Sequence, residues 1–214
     1  MGIRGCAAAS LWVAMVGVAR GGLVIESAFD SPGNWSPLLI GNVAGNASYF
    51  PTGGNPDGHY EISLTVPGGV ARGGLGIMTG FMDLGAFEGG SVRLSLDYQY
   101  LDFATRVPPQ MAIVLVQGTR AYLPTARLDP GAETSWNRVG EMEFDLDDFA
   151  NSTGVPLDFS SSMRVAIVGW LENPNGVTPQ TRFKIDNLRI EFVPGAGSGV
   201  ALIGGVLAMS RRRR

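Results

Sequence analysis

The chain has 214 residues, 45% of them hydrophobic and only 16% charged, with 31 glycines and 13 prolines. That length suits one domain, and the mixture favours short strands joined by turns over long helices. One cysteine and one histidine leave no room for a disulfide framework, a cysteine-ligated zinc site or a Cys–His dyad within one chain.

The first nineteen residues read as a secretory signal peptide. Arg4 supplies a positive start, Cys6 to Val18 is apolar and uncharged, and Gly17-Val18-Ala19 has the small-x-small form of a cleavage site. Removal of that helix after Ala19 takes the only cysteine with it.

Strands are expected next. Leu23 to Phe29 is the first, and Tyr60, Ile62, Leu64 and Val66 mark a second by alternating with polar residues. Ser91 to Tyr100 is the cleanest, with Val92, Leu94, Leu96, Tyr98 and Tyr100 on one face. The unbroken run Met111 to Val116 predicts a central strand buried on both faces. Trp136 to Phe144 is a weaker strand, Asp145 to Ala150 fits one helical turn, and Arg164 to Leu171 is again extended. Gly53-Gly54-Asn55-Pro56-Asp57-Gly58, Pro67-Gly68-Gly69 and Asp129-Pro130-Gly131 are turn sequences between such runs.

The last strand slips its own phase. Phe183 and Ile185 share one face, whereas Leu188, Ile190 and Phe192 continue one residue out of step. A period of two cannot slip without inverting the faces, so an extra residue is absorbed at Asp186-Asn187. A β-bulge there should aim both polar side chains away from the core. Together these runs predict an all-β fold, a two-sheet antiparallel jelly-roll-like sandwich over residues 20–192.

After Val193-Pro194-Gly195 the chain turns apolar and glycine-rich, then ends in Arg211, Arg212, Arg213 and Arg214. A short transmembrane helix held by cytoplasmic arginines is the physical reading. This arrangement over 193–214 resembles the PEP-CTERM sorting signal of bacterial exported proteins. Val193 and Pro194 match the start of its motif, although Gly195-Ala196 stands where Glu-Pro often follows. The resemblance implies export to the cell surface or beyond, transient membrane anchoring by the tail, and an exosortase-type membrane protease as partner. Many members of that family accompany exopolysaccharide or biofilm production.

Between the two ends, residues 20–194 carry 19 acidic against 11 basic side chains. An acidic domain is a poor nucleic-acid binder, since such binders need a basic face.

A second resemblance lies in the domain itself. Phe183-Lys184-Ile185-Asp186-Asn187-Leu188-Arg189-Ile190 is similar to the closing strand of galactose-binding-like jelly rolls and carbohydrate-binding modules. Phe29-Asp30 with Gly33-Asn34-Trp35 resembles their opening, and Gly53 to Tyr60 their glycine-rich loop. The resemblance implies a structural calcium ion, with Asp30, Asp57 and Asp186 as ligands and Asn55 and a loop carbonyl as helpers. Calcium takes six to eight hard oxygens, which carboxylates and carbonyls supply; Asx turns are the ordinary alternative for Asp30 and Asp57.

Catalysis has one candidate pattern, the strand carboxylates Glu141 and Glu143, about 7 Å apart along one face. A solvated strand face is the plainer reading. For sugar binding, exposed rings are needed, and Tyr122 and Trp170 are the candidates. The expectation is therefore a non-enzymatic surface or matrix protein that binds or organises exopolysaccharide. The alternatives are a polysaccharide hydrolase using the carboxylate pair, or a purely structural surface protein.

Overall fold

The computed structural model describes residues 22–101, 108–173 and 178–195. The leader expected over 1–19 lies outside these residues, as do the apolar run and arginine cluster of the tail. Among the described residues, no helix is long and apolar enough to cross a membrane.

Those residues form eleven strands: β1 (Leu23–Ser27), β2 (Ser36–Ile40), β3 (Ala44–Phe50), β4 (His59–Thr65), β5 (Arg72–Met82), β6 (Ser91–Tyr100), β7 (Gln110–Gln117), β8 (Arg120–Tyr122), β9 (Asn137–Asp145), β10 (Met163–Glu172) and β11 (Gln180–Val193). Two single 3-10 turns, Gly85–Phe87 and Leu146–Asp148, are the helical elements among them. The second is the helical turn expected after β9, and Asp145 caps it by accepting the Asp147 N–H at 3.1 Å.

Every pairing is antiparallel. The first sheet runs β3-β4-β11-β6-β9, with β1 added beside β11, and the second runs β2-β5-β10-β7-β8. The chain crosses repeatedly between the sheets, which is the jelly-roll path. Alternation then fills the space between them. Ile62, Leu64, Leu94, Leu96, Phe183, Ile185, Ile190 and Phe192 face inward from one side, and Leu75, Ile77, Ile113, Leu115, Val165 and Ile167 from the other. Each such side chain contributes roughly 1.5–3 kcal/mol on full burial.

The phase slip in β11 is resolved by a register shift between Asp186 and Arg189 against β6, with Asn187 at φ 44°. Beta4 pairs with Gln180 to Ile185, and β1 with Leu188 to Phe192. The bulge thus sits where one neighbour of β11 gives way to another. Its side chains leave the apolar core, but Asp186 does not reach water: it is fully buried in a polar cluster beneath the glycine-rich loop.

Four strands were not expected: β2, β3, β5 and the short β8. Beta5 carries Gly73, Gly74, Gly76 and Gly80, a composition that argues against a strand. Packing explains two of them. A Cβ on Gly74 would sit 2.5 Å from Val168 Cγ1 and 2.7 Å from the Trp170 ring, and one on Gly76 would sit 1.8 Å from the Ile167 carbonyl oxygen.

Candidate functional site

The second sheet is apolar on both faces. Its inner face joins the main core, while Met78, Val114, Val116, Ala166, Val168 and Trp170 form a separate buried cluster on the outer face. The period of two puts them there: along β10, Ala166, Val168 and Trp170 alternate with the inward Val165, Ile167 and Leu171. Beta7, expected to be buried on both faces, is so. Its outer residues belong to this second cluster and not to a third layer.

Above that cluster lies a groove of about 1240 Å³. Leu38 and Ile40 of β2, Val116 of β7, Ala121 of β8 and Trp170 of β10 line it with apolar surface. Segments Leu123 to Arg127 and Ala150 to Thr153 also line it. These segments are fixed by the backbone. Leu123 and Ala150 exchange hydrogen bonds at 2.9 and 3.1 Å, and Leu128 exchanges them with Met111 of β7 at 2.7 and 2.8 Å. Asn151 closes the second segment, its Oδ1 accepting the Thr153 N–H at 2.9 Å.

Trp170 lies over Gly74, its register partner on β5. The Arg127 guanidinium sits 5.5 Å from the Trp170 ring centre, and donates hydrogen bonds to the carbonyls of Pro124 and Ala126. Burial, and then the neighbouring Arg72 cation, lower the Arg127 pKa from its usual value. Farther along β10, the Arg164 guanidinium stacks 4.7 Å from the ring centre of Phe81, which is 66% exposed. Arg72, Arg120 and Glu172 also line the groove.

Of the two aromatic candidates, Trp170 reaches this groove only by an edge, being 7% exposed and not the open ring expected, and Tyr122 does not reach it. Contrary to the expectation of an exposed ring, Tyr122 is fully buried in the inner core, and its hydroxyl donates to the Pro156 carbonyl at 3.3 Å. Alternation places it inward, opposite Leu115, while its neighbour Ala121 faces the groove. Sequence reasoning missed Arg72, Arg120, Arg127 and Arg164. The available signal was the outward row of β10, Arg164-x-Ala166-x-Val168-x-Trp170, which is too apolar for a solvated face.

The expected calcium ligands converge in part. The Asn55 N–H donates to Asp186 Oδ2 at 2.6 Å, and the Asn187 N–H to Asp186 Oδ1 at 2.7 Å. Asp97 accepts from Asn55 Nδ2 at 3.1 Å, Asn187 Nδ2 at 2.7 Å and Arg138 Nη1 at 3.1 Å. Burial raises the Asp186 pKa, opposed by its two backbone hydrogen bonds and reinforced by Asp97 and Asp30. Asp57 gives its backbone carbonyl to the Gly54 N–H at 2.6 Å, while its side chain is exposed. Among the described residues, no three His, Cys, Asp or Glu side chains converge closely enough to surround a metal ion.

Glu141 and Glu143 are exposed on β9, an edge strand of the first sheet and therefore not on the groove's sheet. Glu143 accepts from Ser91 Oγ and from Arg93 Nε at 3.2 Å, and these bonds lower its pKa. A general acid needs the opposite shift. Val193 closes β11 opposite Ser91, and Pro194 follows it.

No protein-family model and no curated protein sequence matches the chain. Solved structures do. The family 11 carbohydrate-binding module of the cellulosomal cellulase Lic26A-Cel5E of Clostridium thermocellum aligns at a TM-score of 0.50 and 14% identity, covering 83% of this chain and 96% of that one. The CBM22-1 xylan-binding domain of Paenibacillus barcinonensis Xyn10C aligns at 0.48 and 12%, covering 83% and 99%. The mannan-recognising module TmCBM27 aligns at 0.48 and 15%, covering 80% and 98%. At such identities the likeness is one of fold: the chain has the jelly-roll architecture found in carbohydrate-binding modules.

Proposed function

We propose that this chain is a non-enzymatic polysaccharide-binding protein of the cell surface or extracellular matrix, with the groove over the second sheet as its binding site. The observation that carries the reading is the groove over the outward apolar cluster, whose half-buried lining of Leu38, Ile40, Ala121 and Leu123 is joined at one end by the edge of Trp170. An apolar floor with an aromatic ring and polar groups around it is what a sugar's face and hydroxyls require. The family 11 carbohydrate-binding module that shares the fold supports it by analogy. Export through the leader, and handling of the 193–214 tail by an exosortase-type protease, complete the proposal. Affinity electrophoresis of the full-length chain in gels containing soluble polysaccharides tests the binding. Retardation by none of a broad panel would sink it. Intact-mass measurement of the protein recovered from its native cell tests both processing events.

A structural calcium ion is the second part of the proposal. Its support is the convergence of Asn55 with Asp186 and Asp97 beneath the glycine-rich loop, where the Asp97 charge is shared with Arg138 and Asp30 lies near enough to raise the Asp186 pKa. Asp30, Asn55, Asp57 and Asp186 would hold it, with carbonyl and amide oxygens completing the shell. There it would tie the opening segment to the loop and to β11, and it would stabilise the fold by mass action. Melting in calcium and in chelator tests this; identical midpoints would remove the ion from the account.

A further inference from the structure

The arginines of the two sheets differ in their partners. On the first sheet, Arg93 pairs with Glu143, Arg138 with Asp97, Arg182 with Glu61, and Arg189 with both Glu26 and Glu191. The groove on the second sheet gathers four more, Arg72, Arg120, Arg127 and Arg164, against one carboxylate, Glu172. Among the described residues, none of these four belongs to an ion pair. Arg164 Nε is buried with no hydrogen-bond partner.

This excess of cation runs against the chain's own charge. Residues 20–194 hold 19 acidic and 11 basic side chains, so a groove with four cations and one anion is a local inversion of sign. Its placement is also ordered. Arg72 is in register with Glu172 at one end of β10, and Arg164 lies at the other, about 26 Å away along an extended strand. The guanidinium of Arg127 lies over the Trp170 ring and that of Arg164 over the Phe81 ring. Such forks suit bidentate contact with carboxylate or sulfate oxygens. A neutral glycan would cover these cations without replacing their water, which costs affinity.

We infer that the groove takes an acidic polysaccharide, one whose rings carry carboxylate or sulfate groups, and that Arg72, Arg120, Arg127 and Arg164 bind those groups. The inference rests on the reading of the groove as a polysaccharide site. The apolar floor receives the sugar faces, and the cations at its two ends fix the register of the charged substituents. Long-range attraction by the same patch also steers a polyanion to this face of an otherwise acidic protein.

The experiment measures binding of the full-length chain, by titration calorimetry and affinity electrophoresis, to five probes. They are alginate, the same alginate after carboxyl reduction, a sulfated galactan, a neutral mixed-linkage β-glucan, and single-stranded DNA. The expected result is at least one acidic polysaccharide bound about tenfold or more tightly than carboxyl-reduced alginate and the β-glucan, with affinity falling as salt rises. Arg127→Ala and Arg164→Ala should each lose about tenfold in that affinity, while Arg93→Ala on the other sheet should change nothing. Neutral glycans bound as well as acidic ones, in a manner lost in Trp170→Ala, would overturn the inference and leave the polysaccharide site standing. Acidic binding unchanged in both groove variants, or DNA bound as tightly as the polyuronate, would also overturn it. Failure of every polysaccharide, charged and neutral, would remove the underlying reading as well.

Discussion

Arg127 and Trp170 form a cation–π pair across the end of the groove, with the guanidinium 5.5 Å from the ring centre. The pair joins a loop to a central strand, because Arg127 lies just before the backbone bridge from Leu128 to Met111. Trp170→Ala should therefore hollow the groove's end wall and also release Arg127. The expected outcome is a loss of about tenfold or more in polysaccharide affinity. Destabilisation of about 3 kcal/mol should accompany it. Trp170→Phe should keep most of the stability, so that calorimetry on the two variants separates binding from folding.

Gly74 lies under that ring. Its missing Cβ is what lets Trp170 and Val168 close over it, since a Cβ would lie 2.7 Å from the indole and 2.5 Å from Val168 Cγ1. Gly74→Ala should cost about 1–3 kcal/mol through overpacking. It should also displace the indole, which a change in intrinsic fluorescence maximum would report. An unchanged spectrum with an unchanged melt would contradict the close approach.

At the bulge, Asn187 serves two purposes. It takes a positive φ of 44°, and its side-chain amide donates to Asp97 at 2.7 Å. Asn187→Ala loses both advantages and should destabilise by about 2 kcal/mol. Asn187→Gly keeps the backbone freedom and should recover about 1 kcal/mol of that. Urea denaturation of the two variants checks the order; Gly less stable than Ala would show that the backbone is not under strain there.

His59 supplies the pH dependence. It is buried, stacked 5.3 Å from Phe50 and edge-on to Trp136, and burial, followed by the charge of Lys184, lowers its pKa below 6.5. The unfolded chain binds this proton near pH 6.5 while the folded chain still refuses it. The histidine's contribution is thus fully present above that pH and is lost as pH falls through the lower folded-state value. Replacing the ring by His59→Phe should flatten the decline in stability between about pH 7 and pH 5. Parallel slopes for the two proteins in urea melts would refute it.

Much of the sandwich was legible because alternation is a local signal. Val92 to Tyr100 declares its inward face without help from the rest of the chain, and the slip at Asp186-Asn187 declares its bulge in the same way. Beta5 was hidden because Gly73, Gly74 and Gly76 look like turn residues; only the side chains of β10 lying across them explain why nothing larger fits. The groove was hidden for a different reason. Arg72, Arg120, Arg127 and Arg164 come from β5, β8, a loop and β10, and no spacing along the sequence brings them together. Tyr122 was misread because a three-residue strand leaves no period from which to tell its two faces apart.

The placement of β11 has a consequence for how this protein comes into being. Beta11 is an interior strand, with β6 along one side and β4 and β1 sharing the other. Residues 23–27 thus wait for their one bonding partner, and 59–65 and 91–100 for one of their two, until the chain has been made as far as residue 193. Closure over such sequence distances is slow. The nascent polypeptide therefore stays open and threadable until its final strand arrives, and a membrane route that engages it during synthesis would meet it before it locks.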